Sequence, residues 1–144
     1  MVKKLSNRDF TGIYAKVPRL CVDLVLENKD RVLLTKRNID PYRGKWHLPG
    51  GTVLMGESLH TAAKRIAKEE LNLSIRPSRI LGEIEFINKS KKYRHDVAVV
   101  VSAKKISGTI RLDNQASQYQ FFRSMPKNTI KSYAIFVKSY LKNK

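Results

Sequence analysis

The run from Trp46 to Leu73, W-H-L-P-G-G-T-V-L-M-G-E-S-L-H-T-A-A-K-R-I-A-K-E-E-L-N-L, constrains this chain more than any other stretch. Pro49, Gly50 and Gly51 demand a tight turn after an extended segment, and the residues from Leu59 onwards carry the period of an amphipathic helix. At 100° per residue Leu59, Ala62, Ala63, Ile66, Glu70 and Leu73 fall on one stripe, with Lys64 and Lys68 opposite. Glu70 breaks that stripe. A carboxylate centred on an apolar face must be neutralised, hydrogen-bonded or bound to a cation, because burying it bare is costly or shifts its pKa. Glu69 stands beside it, and the Gly50-Gly51 turn leaves backbone carbonyls accessible at the same end. Oxygen donors of this kind suit Mg²⁺ or Mn²⁺, with water and substrate phosphate completing the shell. The other reading of the same helix is an ordinary Arg65 to Glu69 pair at i, i+4 with a solvated Glu70.

The flanking segments supply a sheet. Leu20, Val22, Leu24 and Leu26 alternate with Cys21, Asp23, Val25 and Glu27, and Val32 to Arg37 returns after an Asn28-Lys29-Asp30 turn, which predicts an antiparallel hairpin. Asn38 to Lys45 is a polar loop containing Pro41 and Gly44, of the kind that carries binding groups. There Tyr42, Arg43 and Trp46 offer a stacking face and a phosphate donor, with core packing the alternative for Trp46. Ser58 is a helix N-cap and Asn72 a left-handed helix stop. Further strands are expected over Ile80 to Ile87, Val97 to Ala103 (buried on both faces) and Tyr119 to Phe122. After Pro126 a last helix places Ile130, Tyr133, Ala134, Val137 and Leu141 on one face. Residues 3–16 fit either a short helix or an arm. Several strands, one central helix and a closing helix give an α/β layered sandwich, one domain over residues 1–144.

Charge bounds the partners. A formal charge of +17 over 144 residues attracts polyanions, so nucleotides, polyphosphates and RNA are all candidates, and Lys89 to Arg94 is the densest basic run. Lysine-rich usage with no partner is the alternative. No apolar run approaches the length of a membrane span, and the polar start is unlike a signal peptide. The single Cys21 points to a reducing cytoplasm.

The spacing Gly51-x5-Glu57-x7-Arg65-x3-Glu69-Glu70, preceded by Pro49-Gly50, resembles the signature of the Nudix hydrolases. The resemblance implies an α/β/α sandwich with a mixed sheet, a central loop-helix-loop motif and a C-terminal helix. Two positions depart from the pattern: Ile66 stands where the family has a glutamate, and Asn72 where it has a glycine. Beyond this box, V-D-L-V-L-E-N, L-L-T-K-R, P-Y-R-G-K-W-H-L-P-G-G and D-N-Q-A-S-Q-Y-Q-F-F are similar to the GDP-mannose mannosyl hydrolase subgroup, which also lacks the carboxylate at the position of Ile66. That likeness implies attack by water at a sugar carbon, with one divalent cation, Mg²⁺ or Mn²⁺, on the diphosphate leaving group. It implies Gly50 (carbonyl), Glu70 and Gln115 as metal ligands with Glu69 near the ion, and Arg65, Glu69 and Glu70 as the catalytic set. It places Asp23, Arg37 and Arg65 at the substrate, the arginines facing diphosphate charge. Where the subgroup has a histidine general base this chain has Ala116, leaving His95, Asp96 and Asp23 as substitutes. Three readings stay open: a hydrolase of a nucleoside diphosphate derivative such as a nucleotide sugar, a pyrophosphohydrolase of dNTPs, ADP-ribose or dinucleoside polyphosphates, and a non-catalytic nucleotide or RNA binder. A homodimer is compatible with each.

Overall fold

The structure, a computed structural model, describes residues 3–89 and 94–144. Its strands are β1 (Arg19–Asn28), β2 (Arg31–Arg37), β3 (Trp46–His47), β4 (Gly50–Thr52), β5 (Ser74–Asn88), β6 (Arg94–Ser107) and β7 (Ala116–Phe122). Three helices accompany them, α1 (Asn7–Tyr14), α2 (Leu59–Leu71) and α3 (Lys131–Lys142). The basic run expected at Lys89 to Arg94 has residues 90–93 outside the described residues.

The strands form one mixed sheet of 7. β1 runs parallel to β6 from Arg19 to Leu26 and antiparallel to β4 at Cys21, Val22 and Asp23. It pairs with β2 only at the hairpin end, Glu27 with Val32 and Asn28 with Arg31. Lys29 and Asp30 close that hairpin at φ 51 and φ 64, the left-handed pair that matches strand twist. Beyond it β2 peels away and pairs with β3 and β7. Two sub-sheets, β4-β1-β6-β5 and β3-β2-β7, therefore diverge from a shared corner and leave a wedge between them.

Each face of the sheet is covered by a helix. Val22, Leu24 and Leu26 of β1, with Leu33, Val101 and Ala103, pack under α2. Val25, Val32, Leu34, Leu48 and Val100 pack with Ile130, Tyr133 and Val137 at α3. The alternation expected along β1 holds except at its first apolar residue, Leu20, which is 44% exposed at the strand end. Val100 and Val101 are both fully buried, as expected for a strand covered on both faces. Trp46 packs in the core with its ring edge-on to Phe122 at 4.9 Å, so packing wins over stacking on a ligand. Residues 3–16 resolve into a short helix, capped by Ser6 and attached through Phe10, whose ring lies 5.4 Å from the Arg19 guanidinium and 5.1 Å from that of Arg94.

The central helix α2 follows its local signals. The Ser58 hydroxyl accepts the Thr61 N–H at 3.0 Å, and Asn72 terminates the helix at φ 60, ψ 34, its amide donating to the Thr109 carbonyl at 3.2 Å. Its buried face is Ala62, Ala63, Ile66, Ala67 and Leu71. Glu70 therefore sits on the rim of that face, partly buried, and not at its centre. Replacing Asn72 by Ala removes a residue tolerant of left-handed backbone together with its hydrogen bond, and should cost about 1–2 kcal/mol in chemical denaturation. Asn72→Gly should cost less, because glycine keeps the backbone conformation available.

Candidate active site

The wedge between the sub-sheets is a cleft built from five parts of the chain. β2 contributes Thr35 and Arg37, β3 contributes His47, β4 contributes Gly50 and α2 contributes Glu70. Asp113, Gln115 and Ala116 come from the approach to β7 and its first residue. A register shift between Lys36 and Arg37 re-aims the end of β2. Arg37 is then held by its own loop, Nε donating to the Pro41 carbonyl at 2.6 Å. The same loop is tied to the Gln115 segment, since the Asn38 N–H donates to the Gln115 carbonyl at 2.8 Å. Arg37 and Gln115 are thus positioned by one connected piece of backbone.

Carboxylates outnumber cations in the cleft, Glu70 and Asp113 against Arg37. Glu70 Oε1 accepts the Gly50 N–H at 3.3 Å. Burial, followed by the nearby Asp113 charge, pushes the Glu70 carboxyl up to about 8 against that single hydrogen bond. Asp23 lies directly behind Gly50: a Cβ there would collide with Asp23 Oδ1 and the Val22 carbonyl, so only glycine fits. Asp23 is buried, its Oδ2 has no hydrogen-bond partner, and burial pushes its carboxyl up to about 7 while the Tyr133 hydroxyl opposes the shift. A divalent ion answers this imbalance. The donor set of Glu70 and Asp113 carboxylates, the Gln115 amide oxygen and the Gly50 carbonyl is all oxygen, which fits Mg²⁺ or Mn²⁺. Among the described residues no three Asp, Glu, His or Cys side chains form a cage by themselves, so backbone, amide, water and substrate oxygens would complete the shell.

Arg65 and Glu69 take a different place. Arg65 Nε and Nη2 grip Glu57 at 2.7 and 2.9 Å, Nη2 also reaches the Thr52 carbonyl at 2.7 Å, and Nη1 meets Glu69 at 3.0 Å. The bidentate pair stitches the loop ahead of α2 to the helix. Glu69 is shared between Arg65 and Lys4 Nζ at 3.0 Å.

Comparison with known proteins agrees with this construction. Residues 17–134 match the sequence model of the NUDIX domain. The chain belongs to the NUDIX family. This Nudix hydrolase is 32% identical over 124 residues to the low-salt glycan biosynthesis protein Agl8 of Haloferax volcanii, covering 83% of this chain and 80% of that one. It is 30% identical over 112 residues to an ADP-ribose pyrophosphatase of Methanocaldococcus jannaschii, covering 76% of this chain and 66% of the relative. A MutT NUDIX hydrolase from Burkholderia pseudomallei superposes with a TM-score of 0.78 at 27% identity, over 85% of this chain and 98% of that structure. Nudix hydrolases generally use divalent metals, in keeping with the cleft's donors.

Of the residues expected at the site of this Nudix hydrolase, Arg37, Gly50, Glu70 and Gln115 meet in the cleft and Asp23 lies immediately behind it. Arg65 and Glu69 are not among the cleft residues; Arg65 Nε and Nη2 are engaged by Glu57 and the Thr52 carbonyl, and Nη1 by Glu69 on α2. His95, paired with Glu85 at 2.7 Å, and Asp96, held bidentate by Arg19, are not among the residues lining the cleft. Sequence reading missed Asp113 and His47. Asp113 stands two residues before Gln115, and its side chain accepts the Gln115 N–H at 3.0 Å. His47 follows from strand alternation once Trp46 is known to face the core.

Two measurements follow from these charges. Arg65 holds the nearly inaccessible Glu57 carboxyl below the ordinary glutamate value, so the pair stabilises the fold above that value and the benefit fades as pH falls through the depressed one. Arg65→Met should lose roughly 2 kcal/mol at neutral pH, with the gap to wild type narrowing below about pH 4. Glu70 has the opposite sign: its raised pKa makes the metal-free protein lose stability as pH rises from the ordinary glutamate range through about 8. The difference in melting temperature between wild type and Glu70→Gln should move against wild type over that window, and Mg²⁺ or Mn²⁺ should reverse that movement.

Proposed function

We propose that this Nudix hydrolase is divalent-metal-dependent and cleaves a nucleoside diphosphate linked to a second moiety, with a nucleotide sugar as the substrate. The observation that carries this reading is the charge set of the cleft, which Arg37 lines together with Glu70 and Asp113. One divalent ion with Arg37 offsets the two carboxylates and leaves a small positive excess. That excess suits a diphosphate bridge better than the more highly charged tail of a nucleoside triphosphate. When bound, the ion would neutralise charge developing on the departing phosphate oxygens. Arg37, locked by the Pro41 carbonyl, would hold a diphosphate oxygen in a fixed direction.

The position following Arg65 supports a small metal complement. Ile66 is 1% exposed and packed in the α2-side core, so it offers no ligand there. This favours a leaving-group ion over a cluster that also activates water at phosphorus. The names of the relatives agree with a diphosphate-linked substrate without deciding the bond cleaved: one concerns glycan biosynthesis, and the other is a pyrophosphatase of ADP-ribose, a nucleoside diphosphate joined to a sugar.

Phosphorus NMR with Mg²⁺ and a panel of GDP-mannose, ADP-ribose, dGTP and a dinucleoside polyphosphate tests the reading. Turnover of a diphosphate-linked sugar is expected, and Glu70→Gln should slow it at least about 100-fold, since a metal contributes several kcal/mol to such a step. A nucleoside diphosphate plus free sugar identifies attack at carbon; a nucleoside monophosphate identifies attack at phosphorus. Preference for dGTP, or turnover indifferent to chelation and to Glu70→Gln, would overturn the substrate class or the metal dependence respectively.

A further inference from the structure

His47 is a cleft residue that the metal and diphosphate reading leaves unused. It stands opposite Thr35 in the β2–β3 pair, and its Nε2 lies 3.3 Å from Thr35 Oγ1. Thr35 is only 3% exposed, so that contact is sheltered from solvent. The ring edge is fixed a second time against Tyr133, 5.8 Å between centroids. The other nitrogen, Nδ1, has no hydrogen-bond partner among the described residues and is not one of the sealed, unpartnered polar atoms. It is therefore unpartnered but not fully sealed, and His47 borders the cleft. One nitrogen anchored and the other free fixes the direction of the imidazole; the Thr35 hydroxyl can accept from Nε2–H or donate to a bare Nε2, and only the first leaves Nδ1 with a lone pair.

We propose that His47 Nδ1 is the proton acceptor for the water with which this hydrolase cleaves its substrate. In that step the water oxygen bonds to the electrophilic carbon or phosphorus. The bond from that atom to the leaving phosphate oxygen breaks, its electron pair stays on the leaving group, and the water proton passes to Nδ1. The Nε2–H remains donated to Thr35 Oγ1, which orients the ring and keeps Nδ1 unprotonated between turnovers. The proposal rests on hydrolysis and not on which bond is cleaved.

The surroundings govern how strong this base is. Arg37 approaches from β2, Tyr133 from α3, Glu70 from α2, and Asp113 from the segment before β7, with Asp23 behind Gly50. Burial first, and Arg37 second, push the imidazole down to about 3 in the metal-free protein, so it is uncharged throughout the neutral range. A diphosphate on Arg37 and a divalent ion at Glu70 act on the ring in opposite directions.

Two experiments on the intact chain decide the matter. Long-range nitrogen-15 NMR of the free protein should show His47 as the Nε2–H tautomer, unchanged between about pH 5 and pH 8; a proton on Nδ1 would overturn the proposal without any substrate. In kinetics with Mg²⁺ on whichever panel compound is cleaved, His47→Gln should lower kcat by about 10²- to 10⁴-fold with KM little changed. Imidazole should partly restore His47→Ala. A kcat within threefold of wild type in His47→Gln sinks the proposal, with unchanged Mg²⁺-dependent product binding certifying the variant's fold. If no panel compound is cleaved, the substrate reading fails while the tautomer measurement still decides His47.

Discussion

β1 cannot stay paired with β2 and also serve as the parallel partner of β6 and the antiparallel partner of β4, and the rest of the molecule depends on how that conflict is resolved. After two hairpin pairs the strands separate, and the polar backbone of β1 facing the gap must find other partners. The chain supplies them with its own turn: the Leu24 N–H donates to the Pro49 carbonyl at 2.8 Å, and Gly50 and Gly51 take up register opposite Asp23 and Val22. The cleft is what remains on the β2 side of that repair. Backbone accounting, more than any single side chain, sets where the chemistry can occur.

Two classes of carboxylate result. Glu57 lies in the loop with a guanidinium wrapped around it and is held ionised. Glu70 and Asp23 line or back the cleft with one N–H and one hydroxyl between them, and both are driven towards their protonated forms. The fold thus keeps its loop electrically satisfied and leaves its cleft unsatisfied. A protein selected for stability alone has little reason to concentrate uncompensated acid next to a glycine that admits no side chain.

What could be read from the sequence was local. The hairpin, the Ser58 cap, the Asn72 stop and the two faces of β1 depend on neighbours a few residues away, and each appears where expected. Glu70 declared itself because a helical period exposes a misplaced carboxylate, although the true stripe runs through Ala67 and Leu71 and moves it to the rim. The direction of Arg65 was not legible, because it is decided by Glu57 and Thr52 in a loop whose path no period describes. Asp113 and His47 become cleft residues only when β7 and β3 flank β2, a pairing between segments distant in the chain.

The close approach of Gly50 to β1 closes position 50 to every side chain. The Asp23 carboxylate blocks a Cβ there, and so does the Val22 backbone carbonyl, so shortening residue 23 would not make room. The turn can therefore be varied at its other positions but not at 50, and the cleft keeps one wall of bare backbone whatever side chains surround it.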